Sequence, residues 1–394
     1  MRADERIRVL NTLREGIASG TSHSAEGVMR SPLSDFTSRS LLEQEQSVFF
    51  RDTPLLMGLS TDLNNPGDYW ADSKTGVPIL MVRDDDGKFH AFANMCRHRG
   101  AQVVPDGRGN RNQFSCPFHA WTYNKRGNLI AINKEKKFGC VAKDDHSLVE
   151  FPSAEKYGML WVKPSLGGEI DVDACLSGLE EDMEGWELNS HPYAREQDIH
   201  ANTNWKLAID TFGENYHFDV LHSQTLAPSI RGNLQTHDVY GKNYRMVFAY
   251  QHFDKVAEKI PQMKDWPMRF MTLTVYFIYP NVILLVDPGG VDVLRIFPED
   301  NQTNKSVTCQ RWYLNPQSMM HFMTNSHELE DRFIGFNAVI QNEDYRVAES
   351  TQRTADSGLV DHILFGMNEP ALHHYHNAHR EGLGREALQL QTAV

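Results

Sequence analysis

Cys96-Arg97-His98-Arg99-Gly100 and Cys116-Pro117-Phe118-His119-Ala120-Trp121 are the stretches that decide how this chain is read. Each opens on a cysteine and reaches a histidine two or three residues later. Each therefore offers one thiolate and one imidazole from a short loop. Two thiolates and two imidazoles match a [2Fe–2S] centre in which histidines replace the cysteines on one iron. Zinc also takes two Cys and two His, but its usual fingers pair Cys with Cys and His with His. Here every couplet is mixed. Two loops that each give one sulfur and one nitrogen suit a cluster with a sulfur-bound iron beside a nitrogen-bound one. Histidine ligation of this Rieske type raises the reduction potential above that of plant-type ferredoxins, so the centre is suited to receive electrons and pass them on.

Working outward, the surroundings of the couplets read as a small all-β domain. Runs such as Pro78–Val82, Phe89–Phe92 and Leu160–Val162 are short. They are separated by the turn signals Asn65-Pro66-Gly67, Asp86-Gly87 and Arg126-Gly127-Asn128. Closely spaced short strands with turn residues between them imply a β domain with both couplets in its loops. Pro164 to Gly168 reads as a linker. Before the domain, apolar residues at Ile7, Leu10, Leu13 and Ile17 predict a helix. A polar stretch at Ser19–Ser24 and a second helical pattern over Leu41–Phe50 come next.

Beyond Gly168 helices and longer strands mix. Tyr244–Tyr250, Met271–Tyr279, Val282–Val286, Val291–Phe297 and Ser306–Tyr313 read as strands of an antiparallel sheet. Asn204–His222, Gln317–Thr354 and Pro370–Arg385 read as helices, the last of them polar. The whole is an α+β chain carrying a β domain.

Asn204–His222 is the second informative stretch. It holds His217 and His222 with Glu214 and Asp210 close by. Two histidines and one carboxylate form the facial triad of non-haem Fe(II) oxygenases, which leaves metal positions open. His217 and His222 stand five residues apart, about 140° around a straight helix. A shared metal therefore requires a kink, a π-bulge or a helix end between them. Glu214 lies three residues before His217, on the same helical face. It can hydrogen-bond the imidazole or bind metal itself. The remaining carboxylate is offered by Glu343, Asp344 or Glu349, and periodicity does not choose among them.

Composition excludes several classes. The chain has 394 residues, 40% hydrophobic and 23% charged, enough for two or more soluble domains. A net charge of −13 argues against nonspecific nucleic-acid binding. The polar start and the lack of a long apolar run predict no signal peptide and no membrane span, and hence a cytoplasmic protein. Cys140, Cys175 and Cys309 are expected to be small, buried, reduced residues. His373, His374, His376 and His379 lack a nearby cysteine and are expected on a solvent-exposed helix.

Taken together these motifs resemble the α subunit of Rieske non-haem iron oxygenases, of the ring-hydroxylating type, over roughly Leu41 to Glu381. The resemblance implies a helical lead over 1–46, a Rieske [2Fe–2S] domain over 47–165, and a catalytic domain over 166–394. That last domain would be helix-grip-like, a large antiparallel sheet flanked by helices. It implies that Cys96, His98, Cys116 and His119 bind the cluster, and that His217, His222 and Asp344 bind Fe(II). Asp344 is preferred because the family's acidic pair followed by Glu and Gln is matched by Asp344, Glu349 and Gln352. A homotrimer is implied, with a carboxylate bridging an iron-ligating His to a cluster-ligating His of the neighbouring subunit. That position falls on Glu214, with His217 and His119 as partners. Asp is usual there, and Glu occurs in members acting on quaternary amines. Asp210, one turn earlier, is a further outer residue on this reading.

The implied activity uses O2 and electrons from NAD(P)H to hydroxylate an aromatic or otherwise apolar substrate. The alternative is oxidative N- or O-demethylation, or C–N cleavage, of a methylated amine or quaternary ammonium compound. A remote alternative is an electron-transfer protein without oxygenase activity, but a second His/carboxylate set argues against it. No GxGxxG follows a strand, so a separate reductase, directly or through a ferredoxin, must supply the electrons. Arg97, Arg99, Arg108 and Arg111 form a basic patch expected to dock it. The pocket is expected around Phe212, Leu221, Leu226, Tyr250 and Phe277.

Overall fold

The structure, a computed structural model, describes residues 1–391. The chain forms two compact units, Glu45–Cys175 and Met1–Gln44 together with the chain from Leu176 onward. Among the described residues no helix is long and apolar enough to cross a membrane.

The first unit is built from short antiparallel strands. Five of them pair in the order Glu150–Phe151, Phe89–Ala93, Ile79–Arg83, Asp68–Asp72, Gly107–Asn110. The central strand Ile79–Arg83 is buried along its whole length because both faces of the sheet are covered. Its side chains alternate, as a strand requires. Ile79 and Met81 join Leu55, Trp70, Phe89 and Leu160 on one side. Leu80 and Val82 join Phe92, Phe114, Trp121 and Tyr123 on the other, where Cys96 and Cys116 also lie. The anticipated turns are present. Gly127 adopts φ +76°, and a Cβ there would stand 2.7 Å from the Phe92 ring, so both conformation and packing require glycine.

The second unit is organised on a seven-stranded antiparallel sheet. Its order is Tyr193–Ala201, Ser306–Leu314, Gly290–Pro298, Val282–Val286, Thr272–Ile278, Asn243–Tyr250, Ile230–Tyr240. The five predicted strands form its middle, and the two edges are strands that the sequence pattern does not reveal. The sheet is covered on both faces. Val247 and Ala249 pack with Val9, Leu10 and Leu13 of the helix Ala3–Ser19. Tyr244, of opposite parity, stacks on Phe277 and meets His374 of the helix Pro370–Gly382.

Three helical expectations are corrected. Asn204–His222 is not one helix: it is helical only over Trp205–Asp210, and turns follow. Asn204 caps its start by accepting from Lys206 N–H, and Thr211 Oγ1 donates back to the Ala208 carbonyl near its end. A Cβ on Gly213 would lie 2.3 Å from Leu372 Cδ2, so the chain turns where it must pass close to a neighbouring helix. The long pattern Gln317–Thr354 is divided into Pro316–Thr324, Ser326–Val339, a π-helical turn Ile340–Asp344, and Tyr345–Ser357. The helix Pro370–Gly382 is polar in composition but not solvent-exposed: His373, His376 and His379 are buried. Burial is tolerated because each imidazole is hydrogen-bonded, His373 Nε2 to Phe365 O at 3.3 Å and His379 Nε2 to Pro280 O at 2.7 Å. Cys309 is buried as expected, but Cys140 is exposed and Cys175 only partly covered.

Candidate metal centres

The two couplets fold into matching turns. Gly100 N–H donates to Cys96 O at 2.9 Å, and Cys96 N–H donates to Ala101 O at 2.8 Å. Ala120 N–H donates to Cys116 O at 2.9 Å, and Cys116 N–H donates to Trp121 O at 2.8 Å. The spacing from each cysteine is identical. Both turns close through a left-handed residue, Gly100 at φ +77° and Ala120 at φ +56°. The rings of His98 and His119 stand edge to face with centroids 4.9 Å apart. His98 is also stacked on Trp121 at 5.1 Å.

The donor set fits a [2Fe–2S] cluster. Both cysteine sulfurs belong to residues buried in the apolar core. Burial, with Cys116 alongside, pushes the Cys96 thiol up. Two thiolates are stable in such a place only when a metal neutralises them. His119 Nδ1 is buried and has no hydrogen-bond partner, which is the condition of a nitrogen whose lone pair belongs to a metal. Tyr123 OH lies 3.4 Å from Cys96 Sγ and accepts Arg97 N–H at 2.9 Å. Tyr123 is a site residue that the sequence does not announce, because a lone tyrosine in a strand gives no signal.

The second centre forms where the turn after Trp205–Asp210 meets the π-turn Ile340–Asp344. His217 Nε2 and His222 Nε2 are 3.2 Å apart. Asp344 Oδ1 lies 3.4 Å from the first and 3.1 Å from the second. Ligand atoms 2.0–2.2 Å from one metal and at right angles would stand about 3.0 Å apart. The triangle therefore fits a single ion with one face open, and the three residues form a group able to hold a metal. Both imidazoles are oriented from behind. His217 Nδ1 hydrogen-bonds Glu214 Oε1, and His222 Nδ1 hydrogen-bonds Glu343 Oε2 at 2.6 Å. Thr225 Oγ1 donates to the same Glu343 oxygen at 2.9 Å. These contacts assign Nδ1–H to each ring and leave Nε2 for the metal. Glu343 is thus an orienting group, and Glu349 instead accepts from Asn202 N–H at 2.8 Å. Burial pulls the His217 pKa down, but Asp344 and Glu214 overcome it and raise it to about 9.

Other expected residues are placed differently. Asp210 Oδ1 receives His376 Nε2–H at 2.9 Å, while its Oδ2 is buried without a partner, so it touches neither His217 nor His222. The cavity at the triangle is narrow, about 50 Å3. Its walls include Phe212 and Leu226 as expected, with Phe218, Phe248, Phe336 and Leu285. Leu221, Tyr250 and Phe277 do not line it: Phe277 packs on Tyr244 and Tyr375, under the last helix. In the basic patch Arg108 is ion-paired with Asp62, and Arg99 lies over the Phe118 ring and contacts His119 Nε2 at 2.9 Å. Arg97 and Arg111 are exposed.

The chain is similar to known proteins in both of its units. Residues 53–152 match the Rieske [2Fe-2S] domain, and residues 188–384 match the ring hydroxylating alpha subunit (catalytic domain). The chain is 24% identical over 371 residues to the carnitine monooxygenase oxygenase subunit of Escherichia coli (strain K12), covering 88% of this chain and 91% of that one. It is 27% identical over 221 residues to the benzene 1,2-dioxygenase subunit alpha of Pseudomonas putida, covering 53% and 49%. A crystal structure of a quaternary ammonium Rieske monooxygenase shares the fold, with a TM-score of 0.77 at 20% identity over 91% of this chain and 96% of that one. Matching cysteine–histidine turns in one unit, a histidine–carboxylate triangle in the other, and a catalytic-domain match spanning half the sequence lead to one conclusion: the chain belongs to the α subunits of the Rieske ring-hydroxylating oxygenases.

Proposed function

We propose that this Rieske oxygenase component hydroxylates a compact, apolar, uncharged substrate, an aromatic ring being the best fit. The observation that carries the reading is the wall of the narrow cavity. Phe212, Phe218, Phe248 and Phe336 line it together with aliphatic side chains, and no lysine or arginine is among its described lining residues. Such a site binds by apolar burial and gives an anionic group no partner.

On this reading Cys96, His98, Cys116 and His119 hold the [2Fe–2S] cluster, and His217, His222 and Asp344 hold Fe(II). When bound, the cluster carries single electrons and the iron activates O2. The protein's own part is positioning. Glu214 and Glu343 fix the tautomer and direction of the two imidazoles. The phenylalanines exclude water and press the substrate against the open face of the triangle. Glu214 is the bridging carboxylate, joining His217 of one chain to His119 of the next in a homotrimer. Asp210 accepts from His376 Nε2–H and stands outside this set. A separate NAD(P)H-dependent reductase, directly or through a ferredoxin, docks near Arg97 and Arg111. The protein works in the cytoplasm.

A second reading, oxidative demethylation or C–N cleavage of a quaternary ammonium compound, has its own support. Phenylalanine faces attract a trimethylammonium head, the Glu214 carboxylate lines the same cavity, and relatives include carnitine and glycine betaine monooxygenase subunits. The discriminating experiment is product analysis under 18-O2 with reductase and NADH. The panel is neutral aromatics, aromatic acids and methylated amines with and without a carboxylate. Labelled hydroxylated product from neutral aromatics is expected. Turnover confined to methylated amines, with formaldehyde or a C–N cleavage product, would overturn the first reading in favour of the second.

A further inference from the structure

A second cavity, of about 450 Å3, lies in the catalytic unit away from the histidine triangle. Arg6, Trp186, His191, Arg269 and Phe270 are among its walls. The seven-stranded sheet separates the two cavities. Leu273 and Val275 of the strand Thr272–Ile278 line the histidine cavity. Tyr276, of opposite parity, accepts Trp186 Nε1–H at 2.8 Å on the other face. The second cavity is therefore not an extension of the first.

Its chemistry is set by two guanidinium groups. Arg269 lies 5.0 Å from the centre of the Trp186 ring, and both of its terminal nitrogens reach His191 Nε2 at 3.2 Å. His191 is 2% exposed. Burial, with Arg269 beside it, holds its pKa down to about 4, so the imidazole is neutral. Its Nδ1–H donates to Glu187 O at 3.2 Å, which leaves Nε2 to accept from the arginine. Arg269 is thus held by two neutral groups. Arg6 donates through Nη2 to the Lys264 carbonyl at 2.7 Å, and its Nε is buried with no partner. Among the described residues neither guanidinium has a carboxylate within ion-pair distance. Glu187 also lines the cavity, but it is exposed and pairs with neither.

Partly buried cations are costly unless something neutralises them. A guanidinium held in place by neutral groups presents its remaining N–H donors to a planar oxyanion. Trp186, Trp266 and Phe270 supply flat apolar walls beside it, and the volume is that of a small-molecule site. We propose that this cavity is a binding site for an organic carboxylate with a flat apolar body, the carboxylate seated on Arg269 with Arg6 nearby and the body against the aromatic walls. It is distinct from the oxygenation site and has the opposite preference, for an anion.

Two measurements test this on the iron- and cluster-loaded enzyme. Crystals soaked in 4-bromobenzoate should show a bromine anomalous peak in this cavity, with the carboxylate in hydrogen-bond reach of Arg269. Bromine confined to the histidine cavity, or absent from both, would overturn the proposal. In solution, benzoate should bind at least tenfold more tightly than benzyl alcohol, and Arg269→Gln should weaken benzoate at least tenfold while iron content is unchanged. Equal affinity of the acid and the alcohol, or of the two proteins, also overturns it. If Arg269→Gln does not fold, the soak and the acid-to-alcohol ratio in the unaltered protein still decide.

Discussion

Among single residues, the two carboxylates behind the histidines have separable roles. Among the described residues Glu343 hydrogen-bonds His222 and Thr225, whereas Glu214 also lines the cavity. Orienting partners of this kind are worth 10–100-fold in metal affinity or activity. Glu343→Gln keeps the size but loses the charge, and is expected to raise the iron dissociation constant about 10–100-fold. Metal titration of the apoprotein checks it. Glu214→Gln is expected to weaken iron binding by a similar factor and, in addition, to lower the turnover of the iron-loaded protein by about tenfold or more. Iron content measured beside product formation separates the two outcomes, and full turnover in Glu214→Gln would remove it from the bridge. On the cluster side, Tyr123→Phe removes the hydroxyl near Cys96 Sγ. A hydrogen bond of about 1 kcal/mol corresponds to roughly 40 mV for one electron, so the midpoint potential should fall by about that amount. Redox titration monitored through the cluster's visible spectrum would show it. The two matching cysteine–histidine turns are legible in the sequence because each is built within a few residues. Glu343 was visible only as one of three acids, since its role depends on a contact made across more than a hundred positions.

The element scale explains how His217 and His222 converge despite their spacing. The helix stops at Asp210, and both histidines sit on irregular turns that Glu214 also supports by accepting His217 N–H at 3.2 Å. A break was expected and is present, but it comes earlier than the pattern implies, because Trp205, Leu207, Ala208 and Ile209 continue an apolar repeat up to it. On the opposite wall the π-turn Ile340–Asp344 carries Asp344 to the triangle while Tyr345–Ser357 continues as an α-helix. One extra residue in the turn rotates the succeeding helix by about 100° relative to an uninterrupted α-helix. Deleting Gln341, which is exposed, should restore a regular turn and leave the protein folded. Because the residue removed is the extra one, Asp344 and the helix after it should keep their direction. The expected result is a near-native circular dichroism spectrum with iron content within about twofold of the unaltered protein; loss of about nine tenths or more of the iron would show that the shape of the π-turn itself sets the ligand. The two edge strands Tyr193–Ala201 and Ile230–Tyr240 are hard to see in the sequence for a related reason. Edge strands are partly open to water, so their apolar alternation is diluted, in the second case by Gly232 and Asn233 as well.

At the scale of the whole molecule, the buried histidines divide the two units by their response to acid. In the catalytic unit His191 and His237 are held to a pKa of about 4, chiefly by burial, with a nearby Arg269 and His374 respectively adding to it. Burial also lowers His373 and His374 and takes His379 well below its ordinary value. An unfolded chain protonates all of these near pH 6.5. Above that pH neither state binds the protons and nothing is lost. As the pH falls from about 6.5 toward 4 the unfolded chain takes up protons that the folded one refuses, so stability declines. For His191 and His237 the loss is at most about 3 kcal/mol each by pH 4. In the β unit only His119 is lowered in the same way among the described residues, by burial and by Arg99 beside it. The catalytic unit should therefore be the first to melt in acid. Calorimetry from pH 7.5 to 4.5 is expected to show its transition moving down steeply while the cluster absorbance melts later. His237→Gln removes one of the groups responsible and should flatten that slope even if it lowers the melting temperature at pH 7.5. An unchanged slope in the variant would mean that other groups govern the acid limit.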